Sequence, residues 1–161
     1  MSQIENNKLF YIILIFSVFA LIFAYIVEYV LGHKPCNLCL YERIPYFLSI
    51  LIIVSNLIIK KFERITIFLL FLIFLFSTCI SFYHFGIEQG FIKESLVCDA
   101  NIENLNLSKE SLLKELEKKI VSCKDVTFRI FGLSLATINT IFSLIFSVIL
   151  LNNFTKYGKN R

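Results

Sequence analysis

The chain has 161 residues, a formal net charge of +4, 57% apolar residues, and 18 Phe with no Trp. That length suits one domain. The apolar excess excludes an ordinary soluble globule, and the small positive surplus calls for no nucleic-acid partner.

Four apolar runs, at 9–31, 40–59, 65–85 and 130–151, are each near the length needed to cross a hydrocarbon core of about 30 Å. Spans of this kind must satisfy their backbone internally and are therefore helices. The first run exceeds a secretory apolar core of about 7–15 residues and lacks a small-residue cleavage pattern, so it is expected to be retained as a span. Glu28 lies near its outward end and reaches headgroups. Next comes Pro35-Cys36-Asn37-Leu38-Cys39-Leu40-Tyr41-Glu42-Arg43. The second run carries Glu42, Arg43 and Pro45 in its first turn, where proline is tolerated.

Lys60, Lys61 and Arg64 sit in the tight turn between the second and third runs. With Lys8, Lys156, Lys159 and Arg161 they give seven bases against Glu5 and Glu63, a net of +5; the other side holds nine bases and ten acids, a net of −1. The tight basic turn places both termini and that turn in the cytoplasm. The loops at about 32–39 and 86–129 then face outward, into a compartment that permits disulfides.

The third run contains Cys79, expected to be an inert buried thiol, and ends in Tyr83-His84-Phe85-Gly86-Ile87-Glu88-Gln89-Gly90. His84 is placed either to meet a quinone carbonyl or move a proton, or to bond a backbone carbonyl at the interface. His33 reads as an exposed turn residue. In the long loop, Ser108 caps a short helix with Leu112, Leu113, Leu116 and Ile120 on one face, amphipathic enough to lie on the membrane surface or cover a loop core. The fourth run carries a stripe of Gly132, Ala136, Asn139, Ser143 and Ser147, which suits close helix packing.

Four cysteines lie outside the apolar runs: Cys36 and Cys39 as a C-x-x-C, and Cys98 and Cys123 in the long polar loop, with 24 residues between them. On one side of a small bundle these read as a two-disulfide electron relay. Cys39 is expected beside the N-terminus of the second span. There the helix dipole and Arg43 one turn on favour its thiolate. A buttressing disulfide with Arg43 snorkelling to headgroups is the plainer alternative. A bridge between Cys98 and Cys123 would close a moderate loop, structural or labile.

Cys36-Asn37-Leu38-Cys39-Leu40-Tyr41-Glu42-Arg43 resembles the first outward loop of the DsbB family of disulfide-generating, quinone-reducing membrane proteins. The similarity extends to His84-Phe85-Gly86-Ile87-Glu88-Gln89-Gly90 and to Cys123-Lys124-Asp125-Val126-Thr127-Phe128-Arg129-Ile130-Phe131-Gly132-Leu133-Ser134. It therefore covers nearly the whole chain, 1–161, as one membrane domain.

The resemblance implies an all-α, four-helix inner-membrane oxidase with Cys36–Cys39 and Cys98–Cys123 as redox-active disulfides. A periplasmic thioredoxin-fold protein of the DsbA type would be attacked through Cys98. Cys123 would relay its electrons to Cys36. Cys39 would face the quinone (ubiquinone or menaquinone), supported by Arg43, with His84 in the place of a quinone-site histidine. Phe128 stands where the family commonly has Trp, so an indole N–H is missing there.

Four other readings use the same residues. Vitamin K epoxide reductase-like proteins place their C-x-x-C after the loop pair, not before it. A metal-binding membrane protein would use Cys36, Cys39, Cys98, Cys123 and a histidine, against an oxidising compartment. A structural protein would hold two inert disulfides. A partner-dedicated paralogue of the same oxidase is the nearest variant.

Overall fold

The structure, a computed structural model, describes residues 3–59, 62–93, 123, 129–130 and 132–159. The expected loop helix around Leu112 and the position of Cys98 lie outside these residues.

Among the described residues, four long apolar helices build the bundle. Helix α1 spans Gln3–Tyr25 and continues as one π-helical stretch, Ile26–Val30. A short α2, Asn37–Tyr41, leads through Glu42 into α3, Arg43–Ile59. Helix α4 spans Glu63–Glu88. A two-stranded hairpin, β1 Arg129–Ile130 and β2 Leu133–Ser134, precedes α5, Leu135–Lys159. All four candidate spans are long and apolar enough to cross a membrane.

The outer surface is apolar, as lipid requires: Phe19, Ile58, Phe76 and Phe82 are all largely exposed. Cys79 is exposed on the α4 surface, not buried as the sequence suggested. The run of bulky neighbours around it could not distinguish a lipid-facing position from a core one.

The packed interior joins Phe10 and Ile13 of α1, Ile53 of α3, Ile67, Leu70 and Phe74 of α4, and Phe146 and Leu150 of α5. Phe16 meets Phe142 and Phe146 at centroid distances of 4.8 and 4.9 Å. Lipid tails are as apolar as these side chains, so packing and polar contacts select the helix partners. Two serine pairs supply such contacts. Ser17 and Ser49 bridge α1 to α3 at 2.9 Å, and Ser77 and Ser143 bridge α4 to α5 at 3.0 Å. Arg64 at the start of α4 lies over the Phe154 ring near the end of α5, at the end of the bundle away from Cys36.

Sequence boundaries shift at two places. Gly132 is not on the last helix: with φ of +83° it occupies the hairpin turn, a conformation glycine adopts without Cβ strain. Ser134 then caps α5, its Oγ accepting from Thr137 N–H at 3.2 Å. Ala136, Ser143 and Ser147 are buried, as the packing stripe requires. At the end of α4, Gly90 (φ +76°) forms a Schellman termination. Gly90 N–H donates to Ile87 O and Phe91 N–H to Gly86 O. This stop fixes the turn of α4 that carries His84 and Glu88.

Candidate active site

Cys36 opens α2 as its N-cap, with extended backbone, and its Sγ accepts from Cys39 N–H at 3.3 Å. The two cysteines carry free thiols, their sulfurs 2.9 Å apart. Cys36 takes the N-cap seat, and Cys39 lies in the first turn, beside the N-terminus of the second span as expected. In this dithiol the hydrogen bond from Cys39 and then the His84 ring draw the Cys36 thiol down to about 4, against the opposing effect of burial.

Arg43 begins α3, one turn beyond Cys39. Its Nη1 lies 2.5 Å from Glu28 Oε2 in the π-helical stretch, and its guanidinium lies over the Tyr25 ring at 5.1 Å. Glu28 is therefore an ion-pair partner, not a free headgroup contact. π-helical turns at the end of an α-helix are frequent at functional sites.

His84 is buried, 2% exposed, and faces three acidic or thiol groups. Its Nδ1 lies 2.8 Å from Glu42 Oε1, its Nε2 3.6 Å from Cys36 Sγ, and Nε2 3.7 Å from Glu88 Oε1. Asn139 Nδ2 donates to Glu42 Oε2 at 2.9 Å and to Ser81 Oγ at 2.6 Å. Tyr46 O–H donates to Asn139 Oδ1. Ser134 O–H donates to Glu88, tying the hairpin to α4. The side chains of this network, from Tyr46 through Asn139 and Glu42 to His84, are partnered to one another, the condition under which a polar network stabilises an apolar interior.

Cys123 is disulfide-bonded and 2% exposed. It packs with Cys36, Leu38 and Ile87 in one buried cluster, with Cys39 and Tyr83 against it. Three of the four expected cysteines thus meet; Cys98 lies outside the described residues. A four-thiolate metal set is not assembled while Cys123 is in a disulfide, although Cys36, Cys39 and His84 donor atoms lie within 4.8 Å of one another.

Beside this cluster is a cavity of about 380 Å³ bounded by all four long helices. Phe16, Phe19 and Phe23 from α1 and Phe142 from α5 supply its apolar walls. Cys36, Cys39, Arg43, His84 and Glu88 supply its polar points. An apolar cleft with a few convergent polar groups suits a flat, largely apolar ligand with carbonyl oxygens. A quinone has this shape and polarity, and Arg43 is a donor within the walls.

Sequence reasoning found the cysteines, Arg43 and His84 but not Glu42, Glu88, Asn139 and Ser134. A signal was present: two carboxylates inside apolar spans are costly unless partnered and mark a site by default. Asn139 was assigned to packing, and its contacts to Glu42 and Tyr46 add a second task.

Residues 6–152 match the family model described as disulfide bond formation protein DsbB. The chain is also similar to a protein of Rickettsia prowazekii (strain Madrid E) described as uncharacterized protein RP370. They share 32% identity over 143 residues, covering 87% of this chain and 83% of the relative. No solved structure matches.

Proposed function

The chain belongs to the DsbB family of membrane disulfide-bond-forming oxidoreductases, and we propose that it reoxidises a periplasmic DsbA-type protein and passes the electrons to a membrane quinone. The cysteine end then faces the periplasm and both termini the cytoplasm, in the inner membrane. The observation that carries this reading is the seat of Cys123, disulfide-bonded and buried against Cys36 beside the Phe-walled cavity.

In this reading the reduced partner attacks the loop disulfide at Cys98 and releases the Cys123 thiolate. That thiolate attacks Cys36 of the Cys36–Cys39 disulfide, and Cys39 leaves. Thiolate attack through a mixed disulfide is the general route of such exchange. The partner's second thiolate then attacks its mixed disulfide with Cys98, so the partner leaves oxidised and Cys98 is freed. Cys98 attacks Cys123 of the Cys36–Cys123 disulfide, which restores the loop disulfide and frees Cys36. Arg43 would hold a quinone oxygen with His84 beside it, and the bound quinone would supply a two-electron, two-proton acceptor. Arg43, already held by Glu28, keeps its remaining donors aimed without a further ordering cost.

The test is quinone reduction by the purified protein in lipid nanodiscs with a reduced thioredoxin-fold donor. Turnover that needs all four of Cys36, Cys39, Cys98 and Cys123 supports the reading. Absence of quinol, with stoichiometric zinc or copper retained on Cys36 and Cys39, would replace it with a metal-binding role.

A further inference from the structure

His84 has more to do than face a ligand. Its neutral ring has one N–H and one lone pair, and its partners decide which nitrogen carries which. Glu42 Oε1, 2.8 Å from Nδ1, accepts the proton there. That leaves the Nε2 lone pair toward the Cys36 thiol, 3.6 Å away. Asn139 donates to the other oxygen of Glu42, while Ser81 and Tyr46 fix the Asn139 amide. Helices α3, α4 and α5 and the Glu42 link thus converge to orient one imidazole. The order thiol, imidazole, carboxylate is the arrangement by which a nucleophile is activated by a base that a third group orients.

We propose that Cys36, His84 and Glu42 form a buried proton relay, locked by Asn139, in which His84 takes the Cys36 proton and later gives it up. His84 is then a catalytic residue; Glu42 and Asn139 are positioning residues. The inference rests on the reading that Cys36 and Cys39 cycle between dithiol and disulfide.

The balance is simple. Oxidising the dithiol breaks two S–H bonds, forms one S–S bond, and releases two electrons and two protons, which together convert a quinone to a quinol. His84 Nε2 stores the Cys36 proton as an imidazolium paired with the thiolate. As the S–S bond forms, the imidazolium loses its anion and releases that proton. Glu88, whose Oε1 lies 3.7 Å from the same nitrogen and whose Oε2 accepts from Ser134, would be the next acceptor. Among the described residues, the titratable and charged groups beside His84 are Cys36, Glu42 and Glu88, and those lining the same cavity are Cys39, Glu28, His33, Lys34, Arg43 and Tyr46. Asn139 on α5 adds no charge.

The test uses full-length, quinone-free protein in detergent, with Cys36 as its one cysteine and Ser at the other four positions. Thiolate ultraviolet absorbance is followed against pH. His84→Gln should lower the thiolate fraction below the transition about tenfold, the ordinary size of a charge partner's effect on a thiol. Glu42→Gln, which keeps shape, should shift the curve the same way by less. Asn139→Leu should follow Glu42→Gln. Thermal unfolding of each variant identifies any that has not folded; Glu42→Gln then carries the comparison. Superimposable curves for the parent, His84→Gln and Glu42→Gln would overturn the relay. This readout needs no quinone and no partner. Shifted curves in a protein without quinone turnover would therefore retain the relay and reject the oxidase reading.

Discussion

Arg43 is held by Glu28 at 2.5 Å, so the first and second spans are joined by a charge pair at the wall of the cavity. A lysine keeps the charge but has no planar fork with which to hold Glu28 and a ligand oxygen together. Arg43→Lys is expected to raise the apparent quinone KM about tenfold, the size of one charge-assisted hydrogen bond. Arg43→Ala should be worse, because Glu28 also loses its partner. Glu28→Gln should lie between wild type and Arg43→Lys. A quinone titration across the four proteins measures this; identical curves would return Arg43 to an interhelical strut.

Cys39→Ser should abolish quinone reduction while leaving Cys98 open to the partner. Cys39 lines the cavity and bonds Cys36, whereas the partner is proposed to enter through the loop pair. The variant should accumulate a mixed disulfide with the reduced partner, visible on non-reducing gels. Normal quinol formation in Cys39→Ser would rule the relay order out.

Gly90 closes α4 with φ of +76°, and no heavy atom within 4 Å would obstruct a Cβ there. The cost of Gly90→Ala is therefore conformational, about 1 kcal/mol. It should appear as a modest loss in denaturant unfolding. A larger loss with reduced quinone affinity would show that the turn also sets the His84–Glu88 register.

Much of this was legible from residue order. Four spans, the C-x-x-C at a span end, and His84 one loop away follow from apolar run length and from where polar residues interrupt it. What pattern could not supply was partnership across helices. Glu42 and Asn139 are 97 positions apart and meet only because α3 and α5 pack. Arg43 looked like a free cation until the π-helical stretch brought Glu28 to it. Cys36 and Cys39 are three residues apart, and which one caps the helix depends on where the first turn begins. Gly132 shared the helical spacing of the packing stripe, yet its positive φ belongs to a turn.

Cys79 is exposed on the α4 surface within a candidate span, where lipid covers it. A membrane-impermeant maleimide applied to reduced, intact spheroplasts should therefore leave Cys79 unlabelled and label the loop cysteines. A small, lipid-soluble maleimide should label Cys79 readily. Protection of the loop cysteines, together with labelling of a cysteine placed at Lys61, would invert the proposed orientation.

The pH dependence of the Cys36–Cys39 potential follows from the Cys36 thiol lying near 4. Its thiolate is present above that value and lost as pH falls through it, so from about pH 5 to about pH 8 the sulfur itself carries no proton. If the proton has gone to solvent, oxidation releases one proton for two electrons. The potential then falls by about 30 mV per pH unit. If His84 holds it as the partner of the thiolate, oxidation removes that anion and frees the proton. Two protons then leave with two electrons, and the slope doubles to about 60 mV per pH unit. The steeper slope is expected for the native protein and the shallower one for His84→Gln, measured by equilibration with a dithiol buffer in the absence of quinone. A shallow slope in both would place the proton in solvent and leave His84 only as a neighbour of Cys36.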